Sequence, residues 1–174
     1  MFRKILVAID QGDTCANLFQ QALTLAQATG AGLMLLSVLE PKYSSSFTTP
    51  AYYGYPLPLG VDSDLWLDLY REAESKGLER LRSFTDQAIA AGVSAEFTQL
   101  LGSPGHEICA LAKTWAADLI VVGSHGRKGF SELFLGSVSS YVMHHAPCSV
   151  LVVDAQTLSG ETVKTANLTT AKGQ

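Results

Sequence analysis

No stretch of this 174-residue chain approaches the roughly 18 consecutive apolar residues a bilayer-spanning helix needs. The opening Arg3-Lys4 leads into only five apolar residues before Asp10, too short for the core of a secretory signal. Cysteine is scarce: Cys15, Cys109 and Cys148 are odd in number, widely spaced and without a C-x-x-C pair. That excludes a disulfide framework and fits a reducing, cytoplasmic setting in which all three pack as small hydrophobes. Positive charge is also in short supply, with 12 Lys+Arg against 16 Asp+Glu and a net charge of −4. This argues against non-specific binding to nucleic acid or to an anionic membrane. Two nucleotide signatures are missing as well: there is no G-x4-G-K-[ST] and no G-x-G-x-x-G. Nor do two histidines share ligand spacing with a carboxylate, so no protein-built zinc site is expected.

What the chain does have is alternation. Residues 4–10 run from Lys4 through Ile5, Leu6, Val7, Ala8 and Ile9 to Asp10, an apolar strand that ends in a carboxylate. Unbroken runs of this kind fit a strand buried on both faces. Gln11-Gly12-Asp13-Thr14 supplies turn and cap residues. Leu18, Phe19, Ala22, Leu23, Leu25 and Ala26 then recur at helical spacing until Thr29-Gly30 stops them. A second buried strand is predicted over 32–39. A long helix follows from an Asp64 cap, with Leu65, Leu69, Ala73, Leu78, Leu81, Phe84, Ala88 and Ile89 on its apolar stripe, and Gly92 ends it. The charged residues Glu72, Glu74, Lys76, Glu79, Arg80 and Arg82 read as a solvated face that contributes little. Residues 94–101 alternate weakly, as an edge strand would. Gly102-Ser103-Pro104-Gly105 opens another helix, with Ser103 as cap and Pro104 in its first position; Ile108, Leu111, Ala112 and Trp115 form its inner face. Strands at 119–122 and 149–153 flank a last helix over 138–145. The order implies an α/β fold: an open, five-stranded parallel sheet with helices on both faces. Right-handed crossovers favour the strand order 3-2-1-4-5, with a crevice between strands one and four.

Residues 1–154 therefore read as one domain. Within it, 42–62 carries Ser44-Ser45-Ser46 and Tyr52-Tyr53-Gly54-Tyr55, and reads either as a mobile insertion or as a lid or partner patch. Residues 155–174 are polar and aperiodic, and read as a disordered tail outside the fold.

The chemistry concentrates in the βαβ unit at 119–153. Gly123, Gly126 and Gly136-Ser137 have the spacing G-x2-G-x9-G-S. Gly123 lets a ligand lie against bare backbone where a strand ends. Gly126 permits a positive φ that turns successive N–H groups inward as an anion nest. Gly136 leaves the N-terminus of the next helix open to phosphate, and Ser137 offers a hydroxyl that would also cap that helix. On spacing alone, nucleotide binding and plain turn-making stay equally open.

Single residues carry alternatives. Asp10 either orients a ribose or helps place magnesium on phosphates, or it caps the turn that follows it. Arg127 and Lys128 either neutralise phosphate or are solvated loop charges. His125 donates to a ligand or packs its loop. His144 and His145 lie in a last helical turn, where the dipole favours cations, and His106 is expected to be exposed. Ser137 has no His–Asp partner nearby in sequence, so a hydrolase nucleophile is not expected. The final apolar strand, 149–153, would be an edge through which two copies pair as a homodimer. A phospho-acceptor regulator is disfavoured, because Phe97-Thr98-Gln99-Leu100-Leu101 ends without an acidic residue.

Several motifs taken together resemble the universal stress protein family, in particular its ATP-binding branch. They are Gly123-Ser124-His125-Gly126 followed by nine residues and Gly136-Ser137, then Pro147-Cys148-Ser149-Val150-Leu151-Val152-Val153. Ile5–Asp10, Leu36-Ser37-Val38-Leu39-Glu40 and Ala117-Asp118-Leu119-Ile120-Val121-Val122 match too, so the resemblance covers about 1–154. It implies an adenine nucleotide α-hydrolase-like fold and a role in stress response or signalling, exerted through nucleotide- and partner-dependent conformation. It implies ATP as ligand, with or without Mg2+, and with AMP or ADP as alternatives. Ala8, Ile9 and Asp10 would meet the nucleoside, and the Val38 backbone would bond adenine. Gly123, His125, Gly126 and Arg127 would line ribose and phosphate, while Gly136, Ser137, Val138 and Ser139 would hold the phosphates. The alternative function is a slow or partner-dependent ATPase or adenylyl-transferring enzyme on the same fold.

Overall fold

The computed structural model describes residues 1–12, 15–40, 63–124 and 136–154. The predicted insertion at 42–62 and the predicted tail at 155–174 lie outside the described residues, as do the side chains of Leu65 and Leu69. In chain order the elements are β1 (Lys4–Ala8), α1 (Cys15–Thr29), β2 (Gly32–Leu39), α2 (Ser63–Ala90), β3 (Ala95–Leu101), α3 (Pro104–Trp115), β4 (Leu119–Gly123), α4 (Ser137–His145) and β5 (Ser149–Val153). Among the described residues the strands form one five-stranded sheet in the order β3-β2-β1-β4-β5, and each neighbouring pair is parallel. This is the architecture expected from the alternation of strands and helices.

The two-residue period of a strand divides each apolar run between two cores. Ile5, Val7 and Ile9 of the β1 segment, Leu33 and Leu35 of β2, and Leu119 and Val121 of β4 face one side. There they meet Leu18, Phe19, Ala22 and Ala26 of α1 and Leu81, Phe84 and Ala88 of α2. Leu6, Met34, Leu36, Ile120 and Val122 face the other side, against Ile108 and Ala112 of α3 and Val142 of α4. That is why these strands read as continuous rather than alternating: both faces are covered. Between α1 and α2 the rings of Phe19 and Phe84 stack at 4.5 Å, with 9° between their planes. β3 lies at the sheet edge and its residues are mostly half-buried, in keeping with its weak alternation.

The α2 stripe departs from expectation at one border. Ile89 is 56% exposed, whereas Gly77 and Thr85 are buried. Thr85 can sit there because its hydroxyl donates to the Leu81 carbonyl at 2.8 Å. A Cβ on Gly77 would meet Nε2 of Gln99 on β3, the movable end of a flexible side chain. In α3, Ile108 and Ala112 are buried but Leu111 and Trp115 are only partly so. Ser103 is the N-cap of α3 with no side-chain cap bond, and Pro104 stands at its start. Of the cysteines, Cys15 is buried, while Cys109 and Cys148 are half-buried.

The amino ends of the strands are tied together by Asp118. Its Oδ2 accepts from the amides of Arg3 and Lys4 at 2.7 and 2.9 Å. Lys4 Nζ in turn donates to the Trp115 carbonyl at 2.9 Å and lies 5.0 Å from the centroid of that indole. The opposite, carboxyl ends of the strands are thereby left to the loops.

Candidate functional site

β1 and β4 pair only as Ile5↔Leu119, Leu6↔Ile120 and Val7↔Val121. Past that point each middle strand follows its outer neighbour. β1 stays with β2 through Ala8↔Leu36, and the Ile9 amide donates to the Leu36 carbonyl at 2.7 Å. β4 stays with β5 through Gly123↔Val153, and the Ser124 amide donates to the Val153 carbonyl at 2.8 Å. A crevice therefore opens between the two middle strands at their carboxyl ends. This is the switch point of strand order, where open α/β sheets bind ligands.

α4 enters beside this opening. Gly136 is its N-cap, with φ −60° and ψ 160°. The Gly136 amide donates to the Ser124 carbonyl at 2.7 Å, which pins the helix start to the end of β4. Ser139 is 2% exposed, and its hydroxyl donates to the Gly136 carbonyl at 2.9 Å, with the Ser124 carbonyl 3.4 Å away. The first intrahelical bond runs from the Ser140 amide to the Gly136 carbonyl at 2.9 Å. Helix geometry then leaves the amides of Ser137, Val138 and Ser139 without intrahelical acceptors, and the helix dipole places partial positive charge there. Ser137 itself is exposed, and Gly136, not the serine, holds the N-cap position. A glycine occupies the cap position, and the hydroxyl two residues further on turns back to secure it.

From the other side, Ala8 and Val38 pack against the core shared by α3 and α4, so they lie on the same face of the sheet as α4. Ile9 is buried on the opposite face, and its amide is already engaged by β2. Asp10 is exposed just past β1. Its Oδ1 accepts from the Gly12 amide at 3.0 Å, the turn-capping role that its position allowed. Its Oδ2 points towards the same turn, 3.0 Å from where a Cβ on Gly12 would stand. Gly123 is half-buried as the last residue of β4. His125, Gly126 and Arg127 lie outside the described residues.

Two contributors were not visible in the sequence pattern. Ser124 supplies the carbonyl that fixes Gly136. Arg80, assigned to a solvated helix face by charge pattern, donates from Nη1 to the Asp10 carbonyl at 2.9 Å, across 70 residues. No local signal could have revealed it, since the partner is a backbone oxygen in another element. Burial raises the thiol of Cys15, with Arg80 opposing and Asp10 adding to that shift, and burial likewise raises Cys109 and Cys148. All three are thus held as protonated thiols, which are poor nucleophiles. Among the described residues no three His, Cys, Asp or Glu side chains gather as a metal cluster, and no helix is long and apolar enough to cross a membrane.

A parallel sheet in the order β3-β2-β1-β4-β5, with a glycine-capped helix entering after β4, defines an open α/β protein with its switch point between β1 and β4. Residues 1–154 match the Universal stress protein family, and the chain belongs to that family. Over 152 residues it is 38% identical to universal stress protein Sll1388 of Synechocystis sp., a match that covers 87% of this chain and 97% of that one. It is similar in structure to universal stress protein UspA from Lactobacillus plantarum, with a TM-score of 0.70 and 26% identity over 87% of this chain and 97% of that one. It also shares its fold with a universal stress protein family protein from Arabidopsis thaliana that has AMP bound. That match has a TM-score of 0.60 and 24% identity, over 87% of this chain and 91% of that one.

Proposed function

We propose that this chain binds ATP in the crevice between β1 and β4, and that it acts in stress response or signalling through the conformation and contacts that the nucleotide sets. The observation that carries this is the placement of α4. Its glycine-capped N-terminus stands at the end of β4 on the sheet face that also holds Ala8 and Val38. Adenine would lie against Ala8 and the Val38 backbone, the ribose near Asp10, and the phosphates at Gly123 and the amides of Ser137, Val138 and Ser139. The AMP carried by the Arabidopsis relative supports an adenylate over other anions. The resemblance of Gly123-Ser124-His125-Gly126 and Gly136-Ser137 to the ATP-binding branch of the family favours ATP over AMP. Magnesium would travel on the phosphates, with Asp10 as the nearby carboxylate.

Magnitudes require both halves of the site. A helix terminus contributes about 0.3–1 kcal/mol to an anion, up to ~2 when partly buried. Micromolar affinity requires about −8 kcal/mol, so burial of adenine must supply much of the difference. Two copies would pair through the edge strand β5, where Leu151 is 38% exposed; Leu151→Lys is then expected to yield monomers by light scattering. Free, protonated thiols suit a reducing, cytoplasmic compartment. The direct test of the ligand is mass spectrometry of nucleotide released from purified, heat-denatured protein. ATP in near-stoichiometric amount is expected. Protein that carries no adenylate and shows no calorimetric binding of ATP would overturn the proposal.

A further inference from the structure

Three of the contacts that hold the turn after β1 centre on Ile9 and Asp10. The Ile9 amide is bonded to β2 through the Leu36 carbonyl at 2.7 Å. The Asp10 carboxylate closes on the Gly12 amide at 3.0 Å. The Asp10 carbonyl accepts from Arg80 Nη1 on α2 at 2.9 Å. Two of these are backbone and local contacts; the third reaches in from an element that packs on the α1 side of the sheet. Glu79 precedes Arg80 and other carboxylates line α2, yet among the described residues Arg80 makes no ion pair. Its guanidinium is spent on a carbonyl. A charged donor held on a backbone oxygen fixes that peptide plane more firmly than a neutral one.

We propose that Arg80 is a positioning residue: it braces the Asp10–Gly12 turn from behind and so fixes the backbone at the end of β1, beside the crevice. Its consequence for ligand rests on the adenylate proposal above. Arg80 approaches from the α1/α2 side, whereas α4 approaches from the other, so the brace acts on the nucleoside end and not on the phosphates.

Arg80→Met and Arg80→Lys test this without and with ligand. In the ligand-free protein, the carbonyl 13C shift of Asp10 and the amide shift of Gly12 should move in Arg80→Met and partly return in Arg80→Lys, while the amide of the fully buried Val7 keeps its position. In calorimetry, Arg80→Met should weaken adenosine and ATP alike by about tenfold, leaving their affinity ratio unchanged. Unmoved Asp10 and Gly12 resonances would overturn the brace. Loss of ATP affinity alone would overturn positioning in favour of a direct phosphate contact. If wild-type protein binds neither ligand while both resonances respond, the brace stands and the adenylate proposal falls.

Discussion

Gly105 of α3 lies directly against Tyr141 of α4. A Cβ placed on it would stand 2.6 Å from Tyr141 Cδ1, 2.9 Å from Cγ and 3.0 Å from Cβ. The bare backbone of one helix is therefore what seats the helix that carries the candidate phosphate site. Rotating the ring away would not relieve the contact, because Tyr141 Cβ is part of it. Gly105→Ala is expected to destabilise the protein by about 1–3 kcal/mol through overpacking, more than the modest propensity gain from replacing a glycine in the first helical turn. Gly105→Ala combined with Tyr141→Ala should cost less than the sum of the two single changes. Urea denaturation of the four proteins measures this.

Gly136 poses the opposite case. Its backbone, at φ −60° and ψ 160°, is one that any residue can adopt. Gly136→Val should leave the fold and melting temperature close to wild type while abolishing ATP binding, because the side chain would cover the first-turn amides of α4. Calorimetric titration with ATP, alongside circular dichroism, separates the two effects. Unchanged affinity would remove the phosphates from this helix.

The stacked rings of Phe19 and Phe84 fasten α1 to α2 above the sheet. Phe19 is fully buried, so Phe19→Ala should cost about 3–5 kcal/mol as a cavity-forming change. Phe19→Leu should cost distinctly less. Chemical denaturation midpoints at constant m-value provide the comparison.

At the other end of the sheet, the amides of Arg3 and Lys4 hold the Asp118 carboxyl below its ordinary 3.8. A depressed carboxylate stabilises the fold fully above its unfolded value, and that contribution is lost as pH falls through the lower, folded value. Asp118→Asn keeps an oxygen able to accept both amides but removes the charge. It should lower the melting temperature at neutral pH slightly and flatten its decline below about pH 4. The carboxylate is exposed, so a large effect is not expected. Thermal melts of both proteins from neutral to strongly acid pH check the sign.

How much of this was legible in the chain differs by element. The runs Ile5-Leu6-Val7, Leu33-Met34-Leu35-Leu36 and Leu119-Ile120-Val121-Val122 announced strands buried on two faces, since they are short, rich in aliphatic residues and bounded by turn signals. Alternation with helices then left few topologies, and the order with β1 and β4 side by side is the one observed. The helix stops were equally plain: Gly30 and Gly92 have φ of +70° and +81°, conformations that favour glycine. Ile89 was misplaced because a 3.6-residue repeat defines a stripe but not its borders.

The same division runs through the candidate site. Sequence determined the parts: apolar strands, glycine at the start of α4, a carboxylate at the end of β1, and the family to which the chain belongs. These are local properties of a few consecutive residues, governed by period, chirality and backbone freedom. Tertiary structure decided what each part touches. It set Arg80 on the Asp10 carbonyl and pinned the Gly136 amide to the Ser124 carbonyl at the end of β4. Contacts such as that between residues 10 and 80 exist only once the sheet has been assembled. The hydrogen-bonding capacity of a backbone carbonyl is the same at every position, so nothing in the chain marks which one will be used.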